Sequence, residues 1–311
     1  MGFPNFLCMN KLGFLFLAIL YILVSILSFA GNIPENTQLI GCGILIALVG
    51  IPHGAIDNVL FLNDNNISPL KFYSGYLVSM LVYLILWLSY PSLSLTIFLF
   101  VSAYHFGESQ FSKYFRDKSF FRNSLYFIWG ANILAGMILY NNSELQETFA
   151  RYSDLQALLY LFNSDFYISI LALTSVYLLI IVIYSLQTKK IKPEDVFKEV
   201  YILLLIHIAF AILPLLPGFT LYFVVLHSTK VLIDEFNFLK SKSKSKSNTL
   251  TITNFVSQLI PFTFISLIGG MVILILINFG FLNISYVLVA IILISLITLP
   301  HSVVMYRFYN Q

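Results

Sequence analysis

Four of the five histidines stand inside long apolar runs, each within about two helical turns of a carboxylate or beside a proline. Pro52-His53-Gly54-Ala55-Ile56-Asp57 sets a histidine and an aspartate four residues apart, on one face of a regular helix. Tyr104-His105-Phe106-Gly107-Glu108 repeats the pairing, and Leu226-His227-Ser228-Thr229-Lys230 repeats it again with Asp234 seven residues beyond the histidine. The fourth segment is Leu299-Pro300-His301-Ser302. His207 differs, standing among Leu205, Ile206, Ile208 and Ala209 with no carboxylate nearby. An ionisable side chain in lipid costs roughly 3 kcal/mol unless it is paired. For His207 alone the simplest reading is a hydrogen bond between helices. Three histidine–carboxylate faces and a fourth histidine together point instead to a metal. Imidazole suits Fe, Cu, Zn or Ni, and four neutral histidines around Fe(II) leave positions open for oxygen. Asp57 and Glu108 are spaced to accept the outer N–H of such imidazoles, or to ligate directly.

Long apolar helices must position these residues. Hydrophobic residues make up 59% of the 311 and charged residues 10%, against roughly a quarter charged in soluble domains, so a soluble protein is excluded. The apolar runs are about 20 residues long, the length an α-helix needs to cross a bilayer, and no ten-residue alternation of a barrel is present. The expected fold is all-α, a single transmembrane domain over residues 1–311. Its ten helices are expected at 12–30, 38–61, 72–90, 92–112, 121–140, 166–186, 196–216, 218–239, 255–278 and 281–306. With both termini cytoplasmic, every basic residue except Arg151 and Lys230 falls at an inner end, as the positive-inside rule requires. The four histidine helices are then all even-numbered and run inward, so His53, His105, His227 and His301 can meet at one depth, toward the cytoplasm.

Lys11 before an apolar run ending in Ser28-Phe29-Ala30 resembles a secretory signal, but the run is longer than a usual signal core and is expected to be retained. Cys8 and Cys42 are expected on opposite sides of the membrane and unable to pair. Between Asn141 and Asp165, Glu144, Glu147, Arg151 and Asp154 alternate with apolar residues, which predicts an amphipathic interfacial helix. The Lys-Ser alternation from Lys240 to Ser247 reads as a solvated cytoplasmic loop. Net charge +3 follows from topology and gives no reason to invoke nucleic acid.

The ordered set PHGAID (Pro52 to Asp57), YHFGE (Tyr104 to Glu108), LHSTK (Leu226 to Lys230) and PHS (Pro300 to Ser302) resembles the Brp/Blh family of β-carotene 15,15'-dioxygenases over nearly the whole chain. The resemblance implies an all-helical enzyme of the cell (inner) membrane that takes a carotenoid from the lipid and splits its central double bond with Fe(II) and O2 to give retinal. It also implies a functional link to a retinal-binding rhodopsin. His53, His105 and His227 match family histidines regarded as iron ligands, and Lys230 matches a position where a basic residue is usual. Asp57, Glu108 and Lys230 are the residues expected to assist the metal. Val231 departs from the pattern, because the family has a second histidine there. Either His301 supplies the fourth imidazole, or three histidines form an open site completed by water or Asp57, or this member has lost or changed the reaction.

Di-iron membrane desaturases need about eight histidines in HxxxH and HxxHH boxes, which this chain lacks. A non-catalytic carotenoid-binding or pigment-assembly protein is the rival of a different class, and bound iron separates the two. A transporter using Asp57, Glu108, Lys230 and Asp234 as a relay would need paired broken half-helices, which the sequence does not announce.

Overall fold

A computed structural model describes residues 11–30, 34–64, 67–115, 118–188, 191–244 and 250–310. Cys8, Arg116, Lys189, Lys190, Lys246 and Ser247 lie outside the described residues. Among the described residues there are helices and no strands. In chain order the α-helices are α1 (Lys11–Ala30), α2 (Glu35–Leu45), α3 (Asp57–Asp64), α4 (Pro69–Ser89), α5 (Pro91–Phe111), α6 (Phe120–Tyr140), α7 (Asn142–Arg151), α8 (Ser164–Thr188), α9 (Pro193–Ile212), α10 (Leu215–Leu221), α11 (Thr229–Lys244), α12 (Ile252–Asn278) and α13 (Tyr286–Tyr309). Local chemistry sets many of the starts. Ser68, Ser119, Thr251 and Ser285 cap α4, α6, α12 and α13 by accepting a backbone N–H three residues on, and Pro69, Pro91 and Pro193 occupy first turns, where a missing N–H is harmless.

Six helical stretches are long and apolar enough to cross a membrane: Thr37–Leu62, Pro69–Ser89, Ser164–Thr188, Leu215–Ser243, Ile252–Asn278 and Tyr286–Tyr309. The expected count was ten. Helices also stand at the other four stretches, but α1 is apolar over a shorter length, and α5, α6 and α9 carry polar residues that lower their hydropathy. Many of those polar groups point inward: Ser94, Ser102, His105, Glu108 and Ser109 of α5, Arg122 and Asn132 of α6 and Glu199 of α9 are all buried. The apolar helices are disposed the other way, and α12 exposes Phe264, Ile265 and Met271. Polar groups turned inward and large apolar side chains turned outward suit a hydrocarbon solvent rather than water.

The centre of the bundle is the crossing of α5 and α6. A Cβ on Gly107 would run into the backbone of Tyr126, and one on Gly130 into the backbone of Ala103, so the two backbones touch where small residues permit it. Helix α13 packs on α3, α4 and α5 and closes the bundle around the histidines.

Two stretches expected as continuous spans are interrupted. Between α2 and α3 a π-turn, Ile46–Gly50, runs into a 3-10 turn, Pro52–Gly54. Pro52 has no N–H to return to the preceding turn, and the Ile51 N–H reaches five residues back, to the Ile46 carbonyl, at 2.7 Å. Between α10 and α11 a second π segment, Tyr222–Ser228, carries His227. The last of these stretches also continues farther than expected: Lys240 and Lys242 lie in α11, with Lys240 over the Phe236 ring and Lys242 over Phe238, so the solvated loop does not begin at Lys240. In the Asn141–Asp165 connection α7 is helical as expected. Leu145 and Phe149 turn inward, Glu147 and Arg151 pair outside, and a 3-10 turn follows at Gln156–Phe162. Cys42 is a free, buried thiol.

Candidate metal centre

His53, His105, His227 and His301 come from four separate parts of the chain and meet in a closed ring, all buried. Ring centroids are 4.8 Å apart for His53 and His301, 5.0 Å for His301 and His105, 4.9 Å for His105 and His227, and 5.3 Å for His227 and His53. Each neighbouring pair is nearly perpendicular. Ligand nitrogens of His53, His105 and His301 lie within 4.8 Å of one another, and His227 completes the ring against the first two.

The outer nitrogens of three imidazoles are tied down. His53 Nδ1 donates to the Gly50 carbonyl, which the π-turn leaves free to accept it. His301 Nδ1 donates to Asp57 Oδ1 at 2.8 Å, and the hydroxyl of Tyr76 donates to the other Asp57 oxygen at 3.0 Å. His227 Nδ1 meets Ser109 Oγ at 3.2 Å; the Ser109 hydroxyl already donates to the Phe106 carbonyl, so the imidazole is the donor. These bonds put the proton on Nδ1 and leave the lone pair on Nε2. His227 Nε2, His301 Nε2 and both His105 nitrogens are buried and have no hydrogen-bond partner. A buried imidazole nitrogen without a partner is costly, and several facing one another make a donor set that fits a cation taking nitrogen ligands. Apolar rings wall the cluster: Phe223 stacks on His227 with centroids 5.5 Å apart, and Phe106 meets it edge-on at 4.7 Å.

The carboxylates behave differently from the face pairings read in sequence. Asp57 serves His301, from a helix 244 residues away, not its neighbour His53. The π and 3-10 turns change the angle per residue between Gly50 and Asp57, so the four-residue spacing no longer means a shared face. Glu108 contacts none of the four imidazoles by hydrogen bond; its Oε1 accepts from Asn310 Nδ2 at 3.2 Å. Asp234 pairs with Lys230 at 2.7 Å rather than with His227. Lys230 also donates to the Ser109 carbonyl, so Ser109 ties α11 and His227 to α5 through two atoms. His207 lies apart, bonded to Asn132 at 2.9 Å in a buried network that continues to Thr174 and Ser175, the helix-to-helix role expected of it.

Val231 is fully buried, in an apolar cluster with Ala55, Ile56, Val304 and Met305. One turn further, Glu235 is fully buried with neither carboxyl oxygen hydrogen-bonded. The residues not anticipated are Gly50, Tyr76 and Ser109. Ser109 directly follows the YHFGE segment, one turn past His105, and could have been suspected from that. Nothing local to Tyr76 or Gly50 signals a role.

A sequence model of the family described as Beta-carotene 15,15'-dioxygenase matches residues 44–309, a stretch that holds all four histidines of the ring. No curated protein and no solved structure matches the chain.

Proposed function

This chain belongs to the beta-carotene 15,15'-dioxygenase family, and we propose that it is an iron-dependent oxygenase splitting β-carotene, or a related carotenoid, at the central 15,15' double bond with O2 to give retinal. The observation that supports this best is the ring of four buried imidazoles, three of which carry unpartnered nitrogens. His53, His105, His227 and His301 would hold the ion. The short distances from His301 to His53 and His105 favour it as the imidazole that stands in for the histidine missing at Val231. Iron bound there supplies the redox chemistry that turns O2 against a carbon–carbon double bond.

The residues of the chain then position, hold and exclude. Cleaving one C=C bond with one O2 to two aldehydes balances without a net proton, so the roles assigned to Asp57, Glu108 and Lys230 are positional. Asp57 orients His301, Lys230 with Ser109 orients His227, and Glu108 braces the end of α13 through Asn310. Phe106 and Phe223 keep water away from the imidazoles.

We place the protein in the cell membrane as one domain of ten spans with both termini cytoplasmic, because α1 is apolar over most of its length, α5, α6 and α9 hide many of their polar groups inside the bundle, and the basic residues then gather on the inner side. Reporter fusions at Lys118 and Glu147 should read opposite sides of the membrane; the same side would overturn this topology. The product would serve a retinal-binding rhodopsin.

The purified chain should contain iron and form retinal from β-carotene in the presence of O2, and His53→Ala, His105→Ala, His227→Ala or His301→Ala should abolish both. Val231 favours one other reading, a carotenoid-binding protein that no longer cleaves. Iron-free protein that binds pigment and yields no retinal would establish that reading in its place.

A further inference from the structure

Among the described residues the chain takes up π-geometry at two places, Ile46–Gly50 and Tyr222–Ser228, and these two segments pack against each other. Each has a local cause. Pro52 returns no N–H to the preceding turn, and Thr229 sends both its N–H and its hydroxyl five residues back to the Val224 carbonyl, the hydroxyl at 2.7 Å. Each also fixes one imidazole: the second segment contains His227, and Gly50 ends the first with the carbonyl that holds His53 Nδ1.

The two segments meet at Phe223 and Gly50. The Phe223 ring lies flat on His227, with centroids 5.5 Å and planes 21° apart, and stands nearly perpendicular to His53, at 5.5 Å and 79°. With 5.3 Å between His53 and His227, the three rings form a nearly equilateral triangle. Phe223 also bears on the backbone that holds His53. A Cβ on Gly50 would stand 2.9 Å from Phe223 Cε1, closer than side chains approach one another. One side chain therefore touches two of the four imidazoles and the glycine that orients one of them. Of the four neighbouring pairs in the ring, His53 and His227 stand farthest apart, and this is the pair that Phe223 spans.

Resting on the metal reading of the histidine ring, we propose that Phe223 is a positioning residue, a spacer that sets the separation and ring planes of His53 and His227, with Gly50 kept free of a side chain to admit it. Within a bilayer no hydrophobic drive holds the two segments together, which leaves close packing and ring geometry to do so. An aromatic face suits the task, because stacked and edge-on rings prefer particular separations and angles, whereas an aliphatic chain of similar bulk fills space without fixing a plane.

The test uses Co(II) as the probe, since its visible absorption responds to coordination geometry and is read without turnover. The purified full-length chain, freed of metal, is titrated with Co(II) against a chelator, with the melting temperature of the metal-free form measured alongside. Phe223→Leu should shift the cobalt spectrum and weaken binding by about tenfold, and Phe223→Tyr, which keeps the ring, should retain the wild-type spectrum and affinity. Gly50→Ala, whose methyl drives against Phe223, should also shift the spectrum; added to Phe223→Leu it should change little further, because both act through one contact. Phe219 stacks on Phe223 at 5.3 Å as the next ring of the column, so Phe219→Leu should lower the melting temperature and leave the cobalt spectrum unchanged. A wild-type spectrum and affinity in Phe223→Leu would overturn the proposal, as would an equal spectral shift in Phe219→Leu. A cobalt spectrum that depends on Phe223, in a protein that forms no retinal from β-carotene and O2 when loaded with iron, would uphold the spacer and overturn the oxygenase reading.

Discussion

Asp57 and His301 are buried to 4% and 3% side-chain exposure and joined at 2.8 Å, so replacing Asp57 tests whether this bond serves the metal or only the fold. A hydrogen bond to a charged group is worth about 1.5–3 kcal/mol. Removing the partner behind a metal-bound imidazole typically costs about 10- to 100-fold in metal affinity, or about 1.4–2.7 kcal/mol. The ranges coincide, so Asp57→Ala should weaken metal binding about 10- to 100-fold. Asp57→Asn keeps an acceptor oxygen but loses the charge; a neutral bond of about 0.5–1.5 kcal/mol remains, and the loss should be about tenfold or less. Tyr76→Phe acts one bond further out and should have the smallest effect, because His301 keeps its own partner. The assay is chelator competition on the purified protein, with melting temperature measured on the metal-free form. Affinity should fall in the order Asp57→Ala, Asp57→Asn, Tyr76→Phe, by more than the metal-free stability falls. Wild-type affinity in Asp57→Ala would refute the reasoning.

Gly130→Ala should lower the melting temperature by the equivalent of about 1–3 kcal/mol, because its methyl meets the Ala103 backbone at the α5–α6 crossing, whereas Gly269→Ala, with nothing within 4 Å, should not. Val231→His should leave iron content unchanged while destabilising the protein by about 1–3 kcal/mol through overpacking an apolar cluster; a rise in iron would mean the ring lacks a ligand. His207→Ala should retain full metal content and lose about 1 kcal/mol of stability, read by thermal denaturation, since its imidazole is bonded to Asn132 and not to the ring.

The sequence by itself determined the class of the fold and the identity of the clustered groups. Some of its helices are so apolar that they have no stable place in water, and histidines are so rare in lipid that four near carboxylates or prolines imply a shared purpose. The isolation of His207 was legible for the same reason, as no carboxylate stands near it. Which carboxylate serves which histidine was not legible. Pairing by spacing assumes a constant angle per residue, and the π and 3-10 turns around His53 remove that constancy just where Asp57 is aimed. Those turns arise from Pro52 and from packing against other helices, so Asp57 turns to His301, and His53 takes the Gly50 carbonyl that the irregular turn has freed. Helices α5, α6 and α9 fall outside the six most apolar for a related reason: they bury polar side chains, and a local average of hydropathy cannot tell a polar group facing protein from one facing lipid. The roles of Tyr76 and Ser109 belong wholly to the tertiary structure, because each depends on two or more helices meeting at a chosen angle and depth, which no segment of the chain specifies alone.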